Sequence, residues 1–209
     1  MIALFNYFVK FTGWIVQAIV FRTKVYYEDK SVQSRKIKGK AIIMSNHTIV
    51  YDYACFLFVF FFRTLRYQMA EVLFRKPFLG LFLRMMGGIY VNRDAHDLSF
   101  IDKSKKILEK GGVVGTFPES RIPKENEERP LPFKPSITLL ALESDTKIIP
   151  VYTDGNYFSK NRARVIIGKP IDIKEYYDET KSERENIEEL TGFLRNKIIY
   201  LRGLLNEKE

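Results

Sequence analysis

Six short apolar runs, at residues 41–45, 66–70, 88–92, 113–117, 147–152 and 164–168, alternate with longer stretches whose apolar residues recur at helical spacing. That alternation constrains the chain more than any other feature, because parallel strands can be joined only through a crossover, and the crossover is usually a helix. The expected fold is therefore α/β, with a largely parallel central sheet flanked by helices. Helices are expected over residues 52–62, 78–86, 98–110 and 136–144. A last amphipathic helix places Ile187, Leu190, Leu194, Ile198, Leu201 and Leu205 on one face and reads as scaffold packed on the core. No Pro/Gly/Ser-rich linker divides the 209 residues, so a single domain with one core is expected.

The first segment reads differently. Residues 2–21, IALFNYFVKFTGWIVQAIVF, approach membrane-spanning length, but no run of positive charge precedes them and no small-residue cleavage site follows, which argues against a secretory leader. On a helix, Asn6, Lys10, Gly13 and Gln17 form one narrow stripe opposite Phe5, Phe8, Val9, Ile15 and Ile19. That pattern suits a helix lying in the bilayer interface; a cap on the protein's own core and a true span are the competing readings. Residues 1–30 are taken as an apolar membrane-associating segment and residues 31–209 as the α/β domain. The run ACFLFVFFF, residues 54–62, has no polar interruption, so its helix is either buried all round or shares its surface with lipid or an acyl chain. Residues 118–135 carry five of the eight prolines and no apolar periodicity, the signature of a functional loop.

Charge and cysteine content narrow the partners. Thirty-four Lys and Arg against twenty-five Asp and Glu leave a formal charge of +9, which favours anionic lipid headgroups, acidic carrier molecules or nucleic acid. The basic residues are scattered and no recognition motif is present, so nucleic acid is not expected as a partner. Cys55 is the single cysteine, which excludes an internal disulfide and a cysteine-rich zinc site.

The chemistry centres on NHTIVYD, residues 46–52, directly after the first strand of the expected sheet. Ligands of α/β sheets bind at the carboxyl ends of strands, so His47 is well placed. Five residues of regular helix rotate by about 500°, so His47 and Asp52 meet only if a non-helical turn separates them. An imidazole oriented by a carboxylate is a general base matched to neutral pH. No G-x-S-x-G elbow is present and Cys55 sits in the apolar run, which points to a hydroxyl of the substrate as the nucleophile. The second histidine, His96, lies in a polar segment and reads as a surface residue, so metal chemistry is not expected. GGVVG, residues 111–115, precedes a strand rather than following one and is not read as a nucleotide loop.

These residues resemble the lysophosphatidate acyltransferase family. NHTIVYD matches its N-H-x-x-x-x-D signature at Asn46, His47 and Asp52; GGIYVNR resembles the second block, with Arg93 at the matching arginine; FPES, residues 117–120, resembles F-P-E-G; and KIIPVY resembles the strand ending in proline, at Pro150. All four occur in family order across roughly residues 40–155. Ser120 stands where the family usually has glycine, Ile49 where the first motif often has serine, and Arg121 one residue closer to the third motif than in F-P-E-G-T-R.

The resemblance implies that His47 deprotonates an acceptor hydroxyl, that Asp52 orients it, and that the acceptor attacks an acyl thioester. It also implies that Arg93 and Arg121 hold the acceptor phosphate, with Glu119 contacting acceptor hydroxyls or ordering the arginines and Ser120 in the same substrate-binding loop. The implied reaction is acyl transfer from acyl-CoA or acyl carrier protein to 1-acyl-glycerol 3-phosphate, giving phosphatidate, with no metal or other cofactor, at the cytoplasmic face of a membrane. Another lysolipid or a hydroxylated aminolipid as acceptor, and a non-catalytic membrane-binding module, are the alternatives.

Overall fold

A computed structural model describes residues 1–92, 98–158 and 162–208. Seven strands, β1 (Lys24–Tyr27), β2 (Ala41–Ser45), β3 (Leu65–Ala70), β4 (Ile89–Val91), β5 (Val113–Thr116), β6 (Ile148–Thr153) and β7 (Arg164–Ile167), form one sheet in the order β1-β7-β6-β2-β5-β3-β4. Every neighbouring pair is parallel except β6 with β7. The central strand β2 is buried along its whole length, as expected of an apolar run covered on both faces.

The helices are α1 (Ile2–Thr12), α2 (Trp14–Val16), α3 (Asp52–Val59), α4 (Glu71–Phe74), α5 (Pro77–Met85), α6 (Ser99–Glu109), α7 (Ser136–Ser144) and α8 (Glu183–Asn206). Side chains of α3 and α5 pack on one face of the sheet with Phe21. Those of α6, α7 and α8 pack on the other. The six expected strands and five expected long helices are all present.

The structure adds β1, which the sequence reading left inside the N-terminal segment. It pairs with β7 in the register Lys24↔Arg164, so the sheet begins before residue 30. Four residues of mixed polarity, KVYY, carry too little pattern to announce an edge strand. The apolar run at 54–62 resolves as core: Cys55 to Phe60 are buried, and Phe62 emerges into the open. Helix α8 starts at a capping box, in which the Ser182 hydroxyl accepts from the Glu185 amide while the Glu185 carboxylate accepts from the Ser182 amide.

Helix α1 is inverted relative to an ordinary surface helix. Its polar residues face the protein: Asn6 Nδ2 donates to the Met86 carbonyl at 3.1 Å, and the Lys10 ammonium donates to the carbonyls of Phe61 at 3.0 Å and Arg63 at 2.6 Å. Burial pulls the Lys10 ammonium down to about 8. The outward side carries Leu4, Phe8 and Phe11, the last of them 80% exposed, followed by Trp14, Ile15 and Ile19. At Gly13 the helix breaks into α2 and a π turn over Gln17–Phe21, and the axis bends by 48°. Among the described residues no single helix is long and apolar enough to cross a membrane.

Candidate active site

The NHTIVYD segment becomes a site because the chain turns back on itself between β2 and α3. Asn46, the first residue after β2, clamps that strand end to the end of β6: its Nδ2 donates to the Thr153 carbonyl and its Oδ1 accepts from the Thr153 amide, both at 2.9 Å. Residues 47–51 then form a turn outside any helix, α3 begins at Asp52, and the Asp52 amide closes the turn on the Ile49 carbonyl at 3.1 Å. The turn supplies what the spacing demanded. His47 Nδ1 lies 2.8 Å from Asp52 Oδ2.

Five groups surround the fully buried Asp52 carboxylate. Oδ2 accepts from the amides of Thr48 at 2.6 Å and Ile49 at 3.0 Å as well as meeting His47; Oδ1 accepts from the Thr48 hydroxyl at 2.6 Å and the Tyr157 hydroxyl at 2.7 Å. A carboxylate is acceptor only, so Nδ1 carries the hydrogen and the imidazole lone pair sits on Nε2. Among the described residues Nε2 has no hydrogen-bond partner. The ring stacks on Phe117, which follows β5, with centroids 4.2 Å apart and planes 13° from parallel. Phe117 in turn packs on Tyr67, whose ring crosses β5 where Gly115 has no side chain; a Cβ there would come within 2.1 Å of the ring. The imidazole is held at one edge and on one face. Its other nitrogen is left to react.

Tyr157 is the site residue the sequence reading missed. It belongs to the turn after β6, where Gly155 has φ +73° and lies so close to Thr48 that a Cβ would meet the hydroxyl at 2.6 Å. That approach delivers the phenol to Asp52, with the Thr153 hydroxyl 3.1 Å away. Burial raises the phenol far above its usual range, so it stays a donor. A buried tyrosine reads in sequence as core, and the contact spans 105 residues. No local signal announces it.

The third motif is placed differently from the expectation. Glu119 is only 3% exposed, and its two oxygens accept from backbone amides, Oε1 from His47 and Oε2 from Leu131, both at 2.7 Å. Burial raises its carboxyl above the usual range, and among the described residues it makes no hydrogen bond to Arg121. It pins the turn after β2 to the proline-rich loop. Arg121 is exposed and spans both oxygens of Glu127, at 2.6 and 2.7 Å, away from the cleft beside the histidine. Ser120 holds φ +60° in place of a glycine, so the backbone shape that favours glycine survives the substitution. Arg93 and His96 lie outside the described residues.

Beside Phe117 opens a cleft of about 430 Å³ at the carboxyl ends of β3, β4 and β5. Gln68, Asn92, Thr116, Ser120, Lys134 and Ser136 give it a polar wall. Lys134, from the end of the proline-rich loop, is a lining cation that no motif indicated. Among the described residues no group of three or more His, Cys, Asp or Glu side chains is placed to hold a metal ion.

The chain has relatives among known proteins. Residues 22–154 match the family model described as Acyltransferase, and the chain belongs to that family. Among curated proteins it is 30% identical over 173 residues to a 1-acyl-sn-glycerol-3-phosphate acyltransferase of Borreliella burgdorferi, covering 78% of this chain and 66% of the relative. It is 24% identical over 148 residues to the protein of the same name in Bacillus subtilis, covering 68% and 71%. The chain thus spans about two thirds of the length of these relatives. Among solved structures, the 1-acyl-sn-glycerophosphate acyltransferase of Thermotoga maritima shares the fold, with a TM-score of 0.58 at 17% identity over 96% of this chain and 95% of the other.

Proposed function

We propose that the protein transfers a fatty acyl group from an acyl thioester, carried by CoA or by acyl carrier protein, to the free hydroxyl of 1-acyl-glycerol 3-phosphate at a membrane surface, producing phosphatidate. The observation that carries this reading is the dyad. Nδ1 is committed to Asp52, and among the described residues Nε2 has no hydrogen-bond partner and no serine or cysteine side chain bonds to the ring. Cys55 is buried in α3 with its thiol pushed up to about 12, chiefly by burial, and is no candidate for a covalent intermediate.

The chemistry follows from that geometry. His47 Nε2 takes the proton of the acceptor hydroxyl as its oxygen bonds to the thioester carbonyl carbon. The resulting imidazolium keeps Nδ1–H on the Asp52 carboxylate, which stabilises the new charge. Collapse of the tetrahedral adduct breaks the carbon–sulfur bond; the thiolate, conjugate to a thiol of pKa about 8.5, leaves readily and takes up the proton held at Nε2. We place the acceptor phosphate in the cleft beside Phe117, where Lys134 and the Ser136 hydroxyl line the wall and where Arg93 directly follows the lining residue Asn92. Charge-assisted hydrogen bonds from Lys134 and Arg93 would favour a phosphomonoester. Arg121 joins them only by giving up Glu127.

The membrane part of the reading rests on the inverted helix α1, whose apolar residues point outward while Asn6 and Lys10 are fully buried. The test is a panel of acceptors, with and without the phosphomonoester, offered with acyl-CoA and acyl carrier protein and read by mass spectrometry of the lipid product. Phosphatidate from lysophosphatidate is expected. A preference for an unphosphorylated lysolipid or an aminolipid would move the assignment to that acceptor, and no thiol release with any pair would sink the enzymatic reading.

A further inference from the structure

A second cleft, of about 600 Å³, lies at the opposite end of the sheet. Its floor is the start of three parallel strands, at Arg66 in β3, Ile89 in β4 and Val113 in β5, whereas His47 and Phe117 follow strand ends. Five cations line it: Arg66; Arg84 from the last turn of α5; and Lys103, Lys106 and Lys110, whose spacing puts them along one face of α6 and its end. The acids of that helix, Asp102 and Glu109, are not among its lining residues. None of the five cations forms an ion pair among the described residues, whereas Lys105 of the same helix pairs with Glu143 at 2.8 Å. Five like charges gathered with no ion-pair partner among the described residues repel one another, and an anion relieves the repulsion.

The position of the cleft selects the anion. Ile2 and Ala3, the first residues of α1, form part of its wall, and Arg84 belongs to α5. Both helices turn apolar side chains outward: Leu4, Phe8 and Phe11 from α1, and Phe78, Leu81 and Met85 from α5, with Phe5 and Phe82 in edge contact joining the two. The cleft therefore borders an apolar surface, as a headgroup layer borders the acyl region.

We propose that this cleft holds the phosphate-bearing headgroup of an anionic phospholipid in the bilayer, at a site separate from the acceptor's. The inference rests on the membrane-facing reading of α1 given above and extends it to α5. It gives the protein two kinds of attachment, an apolar face and a charged cleft that fixes its rotation on the surface.

The test uses the full chain and vesicles of phosphatidylcholine, alone or with added phosphatidylglycerol, at constant ionic strength. The wild type should bind both, and the anionic vesicles far more tightly. K103Q/K106Q/K110Q should lose about 100-fold of that preference, at about 1 kcal/mol for each surface cation and 1.4 kcal/mol per decade, while keeping its affinity for neutral vesicles. K147Q/K174Q/K181Q, which removes the same charge from exposed lysines already paired with carboxylates, should keep the preference to within a few-fold. Acyl transfer to an acceptor in detergent micelles should be unchanged in both variants.

If the control variant loses as much as the first, the attraction is diffuse charge and the site does not exist. If the wild type ignores phosphatidylglycerol but binds neutral vesicles, the cleft proposal falls alone. If it binds neither, the membrane reading falls with it, while activity in micelles still reports on the acyltransferase reading by itself. If the first variant keeps its vesicle preference but loses binding of inorganic phosphate, or of an acidic carrier protein, the cleft belongs to that ligand instead.

Discussion

The two ends of α3 hold opposite buried charges. At its first residue Asp52 is surrounded by five hydrogen-bonding groups; just past its last turn the Lys10 ammonium caps the carbonyls of Phe61 and Arg63. Both charges complement the helix dipole, an anion at the amino end and a cation at the carboxyl end. They differ in what they hold. Asp52 fixes the imidazole proposed as the general base, whose Nε2 has no hydrogen-bond partner among the described residues. Lys10 fixes another helix, through hydrogen bonds to backbone carbonyls alone among the described residues. The same electrostatic device orders a site at one end and an attachment at the other.

The comparison is broken most severely by removing the reacting group. His47→Ala should lower kcat by about 100- to 10,000-fold, the usual worth of a general base, while circular dichroism stays near wild type and stability falls by only about 1 to 2 kcal/mol, since Asp52 keeps four of its five donors. A folded His47→Ala protein of near-normal turnover would end the proposed mechanism.

At the other end, Lys10→Met should cost about 1 to 3 kcal/mol of stability, since two carbonyls lose a buried donor, with kcat for a micellar acceptor little changed. The pH dependence gives a sharper reading. The folded lysine titrates at about 8, below its ordinary 10.5, so between those values the unfolded chain binds the proton that the folded one has released. The stability of wild type relative to Lys10→Met should accordingly rise as pH climbs from about 8 to about 10.5. Denaturation midpoints of the two proteins across that range would show it, and a flat difference would mean that Lys10 is not held as the structure places it.

Smaller changes separate positioning from chemistry. Tyr157→Phe removes one donor from Asp52 and leaves the rest, so kcat/KM should fall by about fivefold with a stability loss of about 1 kcal/mol. A drop in kcat with KM constant would mark an effect carried through Asp52 and His47. Smallest is Ser120→Gly, which relieves a serine held at φ +60° and should raise stability by a few tenths to about 1 kcal/mol, offset in part by the freer unfolded chain. A loss of stability would show that the serine side chain supports the loop.

What could be read beforehand divides along the same lines. The strands other than β1 and the helices of the crossovers are legible because burial leaves apolar runs, uninterrupted where both faces are covered as in AIIMS, and because α8 repeats its apolar residues at helical spacing over 24 residues. The dyad is legible because both partners sit within one turn of chain. Tyr157 and the true partners of Glu119 are not, since each contact joins segments separated by 12 to 105 residues and its geometry depends on how two turns dock. Arg121 is a different case: its place beside the third motif is legible, but its pairing with Glu127, six residues along the loop, is not.

Trp14 stands at the break between α1 and α2, about half exposed on the outward side, and it is the sole tryptophan of the chain. Nothing else in the molecule will fluoresce when light is absorbed at the red edge of the aromatic band. The chain therefore carries its own optical label at the one place where the surroundings of the N-terminal helix are in question. A shift of its emission on adding vesicles reports the polarity met by that turn alone, and quenchers set at known depths in the acyl layer turn the same signal into a ruler.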